Sequence, residues 1–444
     1  MNGRVVVGAF DAEKFWKTEG SSELPLISND YTSKIVQSMD ELLTPLCESG
    51  DRLITRYALN PDLSDYLRGI GFTINGNEND LITFEKSDVN QSFYDILLNC
   101  SVEYRMSLSG GNDIVDMYAV IPGSVEFAKS INARNGFPSL DIVKRVNSKE
   151  YSCRMHDRIG LKKYGDVCYS GSDIDKSARK HLNRGVLIKD VFGVSGKGNI
   201  LVNSPAVLTR IIRYVVNQEE RGFDTCFIVE PFLDKETDFS CQIHISREGS
   251  VEIMSIQKTI NAGFAYLGSM SASEDFKIHL IESGYMEQMR KVAEEMYLDG
   301  YYGDVCVDSM ILADNEIVPV VEINARKSMG LINYHVDSKL KNYDVSGLLS
   351  FVNVGFSGKT RMADILKKLS DDKLLFEHNY RRGILPLSSN TLFINRDSDP
   401  SPDPEGMHRG RLYYSVVSDN SGDCEYYQTA VRETLKTLSF TVFN

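Results

Sequence analysis

Short apolar runs alternate with amphipathic stretches along most of the chain, and the two periods separate strands from helices. RVVVGAF (4–10) predicts a buried strand, and DRLITRYAL followed by NPDLSDYLRGIGF predicts strand, turn and helix. SVEFAKSINARNGFPSL (124–140) predicts a helix that ends near Asn135, Gly136 and Pro138. Residues 1–145 are therefore expected to form an alternating α/β unit.

Past VNSKEYSCRMHDRIGLKKYG the pattern changes. Strands are expected at VLIKDVFG, CFIVEPFL, FSCQIHI, VEIMSIQ, VCVDSMIL and EIVPVVEIN, with helices at PAVLTRIIRYVVNQEE and YMEQMRKVAEEMYL between them. Residues 146–345 thus form a second, mixed α/β (α+β) region, and residues 346–444 a third, which holds the Asp-, Pro-, Ser- and Gly-rich segment 395–410, expected to be a mobile loop. No internal repeat or coiled-coil heptad is present.

Within the second region, VCVDSMILADNEIVPVVEINAR reads as a β-hairpin turning at Asp314-Asn315. Side chains alternate faces along a strand, so Glu322, Asn324 and Arg326 share one face. A loop with an odd number of residues, such as Asp314-Asn315-Glu316, would place Asp308 across from Glu322 on that face. Two facing carboxylates repel. A bound cation removes the repulsion, and two carboxylates with an amide oxygen are hard ligands suited to Mg²⁺ or Mn²⁺ beside substrate phosphates. Arg326 could then meet a phosphoryl or carboxylate oxygen with its planar fork. A solvated face of an amphipathic hairpin would give the same alternation. Against that stand Val320, Val321 and Ile323, which imply burial on the opposite face, and the lack of a basic partner on the other strand.

VLIKDVFGVSGKGNILV (186–202) adds a strand ending in Lys189, then a loop with Gly193, Ser195, Gly196, Lys197 and Gly198. Glycines let backbone N–H groups approach phosphate oxygens, and lysines add charge. This is not a Walker loop, because Gly198 rather than Ser or Thr follows Lys197 and a strand follows the loop. In CFIVEPFLDKETDFSCQ, Glu230 closes one strand and Asp238 opens the next.

Composition narrows the partners. The 444 residues exceed one core and fit two or three domains, and 42% apolar with 25% charged residues is a globular balance. A net charge of −13 argues against general nucleic-acid binding, so an anionic substrate such as ATP would need a local basic pocket. The N-terminal residues match neither signal peptide nor membrane span, and no apolar run is long enough to cross a bilayer, which makes a cytoplasmic protein the expectation. The eight scattered cysteines read as reduced, partly buried side chains, with no zinc spacing among them. The seven histidines are dispersed and read as structural or surface groups; His335, in SMGLINYH, is the one to test. Nothing in the sequence fixes an oligomeric state.

The order of these signals resembles the ATP-grasp ligases: a lysine before a helix (Lys149), a lysine and Gly-rich loop between strands, a VEPFL hinge, an acid eight residues later, then Asp and E-x-N-x-R. The resemblance spans about residues 146–345 and is most specific in its last motif. It implies that Lys149 and Lys189 hold the nucleotide phosphates under loop 193–198, and that Glu230, Phe232 and Leu233 face the adenine. It further implies that Asp238 accepts the ribose hydroxyls, that Asp308, Glu322 and Asn324 ligate the metal, and that Arg326 stabilises the reacting phosphoryl group, with Lys258 a further phosphate contact. One departure is Pro231, which lacks an N–H, so a hinge bond to adenine would come from Leu233 or nearby. LITRYALNPDLSDYLRGIGF and VKRVNSK are similar to the pre-ATP-grasp domain of the pheganomycin-type peptide ligases, a group that includes the butirosin-pathway ligase charging an acyl-carrier protein with glutamate.

Such a site would pass the γ-phosphoryl of ATP to an amino-acid carboxylate, and an amine or thiol would attack the acylphosphate. The acceptor stays open between a carrier-protein thiol and a peptide or amino-acid amine. An acidic carrier would need a basic patch, for which Lys359, Arg361, Lys367, Lys368 and Arg381-Arg382 are candidates; the plainer reading of these is a solvated helix face. A kinase acting on a small-molecule hydroxyl and a non-catalytic ATP sensor are the readings from other classes.

Overall fold

The computed structural model describes residues 3–25, 30–81, 91–193, 198–263, 265–379, 381–399, 401, 403, 406–419 and 421–443. Three sheets organise them. The first is parallel, in the order β2-β1-β3-β4, from β1 (Arg4–Val7), β2 (Arg52–Ile54), β3 (Ile114–Met117) and β4 (Arg134–Asn135). Val5, Val6 and Val7 are wholly buried, as expected of a strand covered on both faces. The expected helix over 124–140 is shorter, ending at Ser130, because Asn132 turns left-handed and the chain re-enters the sheet as β4.

The second sheet is antiparallel, in the order β5-β8-β6-β7: β5 (Asp166–Cys168), β6 (Val186–Asp190), β7 (Asn199–Val202) and β8 (Phe227–Pro231). One face packs on the helices Gly171–Arg179 and Pro205–Glu219 and builds a small core of its own around Val186, Ile188, Val229, Leu208 and Ile211. The other face, bearing Lys189, Ile228 and Glu230, looks into a cleft.

Across the cleft stands the largest sheet, in the order β13-β12-β9-β10-β11-β14-β16-β15, with β17 paired to β14. Its strands are β9 (Lys235–Ile245), β10 (Val251–Ala262), β11 (Ala265–Ser271), β12 (Gly303–Leu312), β13 (Ile317–Asn324), β14 (Ser346–Phe356), β15 (Gly383–Pro386), β16 (His408–Ser418) and β17 (Thr441–Phe443). The C-terminal region therefore extends the sheet that carries the hairpin, and one hydrophobic core joins it to the N-terminal unit. Of the expected loop 395–410, residues up to Ser398 end a helix and those from His408 begin β16; parts of the remainder lie outside the described residues.

Candidate active site

The hairpin forms as expected, and its register pairs Asp308 with Glu322. The turn lies one residue earlier than Asp314-Asn315-Glu316: Leu312 N–H bonds Glu316 O at 2.9 Å, leaving Ala313, Asp314 and Asn315 as the loop, with Asn315 at φ 66°. Continued without interruption, that register would set Asp308 opposite Val320. The ladder instead shifts between Asp308 and Met310, where Pro319 has no N–H to give and its carbonyl accepts from Ser309 Oγ at 2.7 Å. The shift is even, so the carboxylates still meet on one face. Not all the valines turn to the core: Val318 and Val320 join Met310 in lining the cleft.

β13 is the edge of its sheet, and the helix Lys149–Ile159 covers that edge with side chains. Asn147 Oδ1 accepts from Ala325 N–H at 2.9 Å, Ser152 Oγ accepts from Ile323 N–H at 2.9 Å, and His156 Nε2 lies 2.7 Å from Val320 O. These bonds fix the helix start against the hairpin. Lys149, 5% exposed, consequently reaches Glu322 Oε1 at 2.6 Å and donates to Gly193 O at 2.7 Å.

From the second sheet, Lys189 pairs with Glu230, two residues whose side chains share the cleft face. Lys149, Lys189, Glu230 and Leu233 line one cleft with Ile228, Met310, Val318 and Val320. The Phe232 N–H is bound to Gly185 O at 2.9 Å, whereas the Leu233 N–H makes no hydrogen bond among the described residues. Gly193 holds Lys149 through its carbonyl; Gly198, at φ 85°, carries the carbonyl bonded by Asp190 N–H at 2.8 Å. A side chain at Gly198 would meet Asp190 Oδ2 at 2.9 Å, so this position needs glycine on two counts. Ser195, Gly196 and Lys197 lie outside the described residues.

Asp238 stands opposite Met310 in the β9–β12 pair, on the face that bears Asp308, and is held by Lys235 and by Asn261 Nδ2 at 2.7 Å. Lys258 is not brought to this group. It pairs with Phe239 and so falls one residue out of phase with the row Asp308, Ser240, Gln257; its ammonium lies over the Phe276 ring, 4.4 Å from the centroid.

Arg326 does lie beside Asn324, but its donors are taken. Nε donates to Glu13 Oε1 at 2.8 Å, NH1 to Tyr118 OH at 3.2 Å and Lys327 O at 3.0 Å, and NH2 to Asn324 Oδ1 at 3.2 Å. Asn324 Nδ2 in turn donates to Asp308 Oδ2 at 2.9 Å. Just beyond, the Lys327 ammonium sits between Asp116 and Asp304, joining β3 to β12.

No family model matches this chain. A curated relative, the [butirosin acyl-carrier protein]–L-glutamate ligase of Niallia circulans, is 22% identical over 229 residues, covering 48% of this chain and 52% of the relative. The chain thus matches about half the length of that protein. Among solved structures, biotin carboxylase from Campylobacter jejuni in complex with an ATP analogue superimposes with a TM-score of 0.56 at 10% identity, covering 100% of this chain and 92% of the other. N5-carboxyaminoimidazole synthetase from Staphylococcus aureus, complexed with ADP, gives 0.52 at 11% identity, with 97% and 96% covered. The chain has the ATP-grasp fold.

Within this ATP-grasp fold the donor set suits a divalent cation. Burial first, and then the Glu322 charge, push the Asp308 carboxyl up to about 7. No three His, Cys, Asp or Glu side chains converge as a metal cluster among the described residues; the group beside the two carboxylates is the Asn324 amide. Its nitrogen now faces Asp308, and holding a metal would require the amide to turn its oxygen inward.

Sequence reasoning missed Glu13 and Tyr118, because nothing in AFDAEKFW or DMYAV announces a residue that crosses from the N-terminal sheet to Arg326. It also missed His156 and Met310, whose apolar or lone-ring character looks like core until the fold opens a cleft beside them. His335 is drawn below its ordinary pKa, to about 4, by burial; the charged groups near it are Asp304, Lys327, Arg4 and Asp116 rather than Asp308 and Glu322.

Proposed function

We propose that this chain is an ATP-dependent ligase that activates an amino-acid carboxylate, glutamate foremost, and transfers the acyl group to an amine or a carrier-protein thiol. The observation that carries the reading is the row Asp308, Glu322 and Asn324 on the large sheet, tied by the Lys149–Glu322 ion pair to a cleft that Lys149 and Lys189 line, in a fold shared with nucleotide-bound enzymes. The likeness to a glutamate-using ligase supports the substrate class.

Phosphoryl transfer asks a protein chiefly for positioning and charge neutralisation. Lys149 and Lys189, now resting on Glu322 and Glu230, would move onto the phosphates. Ile228, Leu233, Met310 and Val318 form apolar walls suited to a base. Asp308, Glu322 and Asn324 would hold Mg²⁺, which when bound neutralises phosphate charge. Asp238 would take the ribose hydroxyls. The substrate carboxylate oxygen attacks the γ-phosphorus, ADP leaves, and the amine nitrogen or thiol sulfur then attacks the acyl carbon and expels phosphate. Arg326 would face the acylphosphate once its bond to Glu13 is exchanged for one to substrate. Because Lys367 and Lys368 pair with Asp371 and Asp372, and Arg381 and Arg382 with Asp344 and Asp423, the basic cluster offers little unpaired charge to an acidic carrier.

Incubation with ATP, Mg²⁺, hydroxylamine and an amino-acid panel tests the reading. ADP with a hydroxamate is expected. AMP would overturn acylphosphate chemistry, and ADP with a stable phosphorylated product but no hydroxamate would mean hydroxyl phosphorylation.

A further inference from the structure

His156 is 5% exposed, on the helix that covers the edge of the large sheet. Its Nε2 meets the Val320 carbonyl at 2.7 Å. A carbonyl oxygen only accepts, so Nε2 carries the proton. Burial holds the imidazole below its ordinary pKa, which keeps the ring neutral near pH 7 and leaves Nδ1 with a bare lone pair. That atom is buried and has no partner among the described residues. A buried acceptor left unpaired is uncommon and calls for an explanation.

The residue lines the same cleft as Tyr164, Met310, Val318 and Val320, with Ile228 and Leu233 on the side of the second sheet. The cleft thus has apolar walls, one unfilled acceptor in His156 Nδ1 and one unfilled donor in the Leu233 N–H. In donor and acceptor sense, a flat heteroaromatic ring carrying an amino donor beside a ring-nitrogen acceptor complements those two groups. Adenine has this edge. A 6-oxo purine presents an oxygen where the amine was, and two acceptors would then face each other in a dry site.

We infer that His156 sets the base specificity of the nucleotide site, its Nδ1 accepting a hydrogen bond from the exocyclic amino group of adenine. The inference rests on the ATP-binding reading above, and it adds that a residue outside the lysine and carboxylate set decides which nucleotide enters. Val320 is part of the device, because its carbonyl fixes the tautomer.

Calorimetric titration of the full chain with ATP, ITP and purine-riboside triphosphate, which has no group at position 6, tests it in the wild type, His156→Phe and His156→Gln. The wild type is expected to bind ATP about tenfold more tightly than purine-riboside triphosphate, the worth of one buried hydrogen bond, and ITP more weakly still. In His156→Phe the affinity for ATP falls to that for purine-riboside triphosphate, which itself stays within about twofold of wild type. His156→Gln, whose amide can donate to Val320 and present an oxygen, keeps the preference. An unchanged ATP-to-ITP ratio in His156→Phe overturns the inference while leaving the ATP site intact; a wild type that binds none of the three overturns the nucleotide reading itself. Should His156→Phe not fold, ¹⁵N-histidine spectra of the wild type decide: the Nδ1 resonance moves with ATP and not with purine-riboside triphosphate, and equal shifts with both overturn the inference.

Discussion

Lys149 Nζ lies 2.6 Å from Glu322 Oε1, so a cation suited to nucleotide phosphates rests against a carboxylate suited to the metal. On the proposed reading, the pair would part to admit phosphate and metal. With Lys149 nearly buried, replacing it by Met leaves Glu322 and Asp308 facing each other uncompensated. The cost is about 2 kcal/mol, set below the usual range for a broken buried pair because Glu322 keeps some solvent. Thermal melts of Lys149→Met should fall well below wild type without Mg²⁺ and recover more than wild type when Mg²⁺ is added. If Mg²⁺ raised both proteins equally, the carboxylate pair would not be the metal site.

Arg326 presents a different problem, since Glu13, Tyr118 and Asn324 already occupy its fork. An arginine so held positions the Asn324 amide and can reach the reacting group only by exchange. Lysine keeps the charge but not the planar fork. Arg326→Lys is therefore expected to lower kcat for hydroxamate formation by about 10²–10³-fold, with Mg·ATP affinity changed by about threefold or less. A loss confined to ATP affinity would reassign Arg326 to the nucleotide.

The structure withdraws one lysine from the site. Lys258 lies over Phe276 on the opposite face of the sheet from Asp308, so Lys258→Met should leave the KM for ATP within about twofold of wild type. A tenfold rise would restore it as a phosphate contact.

These cases mark what a single sequence can disclose. Asp308, Glu322 and Asn324 were legible because strand alternation is local: once a hairpin is recognised, parity places its side chains, and even the shift at Pro319 preserves parity. Lys258 failed because its phase is set by a non-local pairing with Phe239, which no spacing within SIQKTINAGFAYLG reveals. Glu13 and Tyr118 were beyond reach, since they meet Arg326 from more than two hundred residues away through the packing of two sheets. The C-terminal strands went unread, and their membership of the hairpin's sheet depends on β14 pairing with β11.

The sheets are also joined through titratable groups. His244 Nδ1 lies 2.7 Å from Asp304, and Asp304 with Asp116 flanks the Lys327 ammonium that ties β12 to β3. The hydrogen bond to Asp304 raises the His244 pKa above its ordinary value, against the opposing effects of burial and Lys327. A group whose folded pKa is raised binds its proton more tightly in the native state, so its stabilisation is full below the unfolded pKa, about 6.5, and is lost as pH rises through the folded value. With the side chain 45% exposed, solvent screening limits the effect to about 1 kcal/mol or less. Urea unfolding of wild type and His244→Gln should therefore differ most below about pH 6.5, with wild type the more stable, and converge as pH rises through the raised folded value. Curves separated by a constant amount across that range would mean that His244 contributes packing alone and that the Asp304 pair carries no proton linkage.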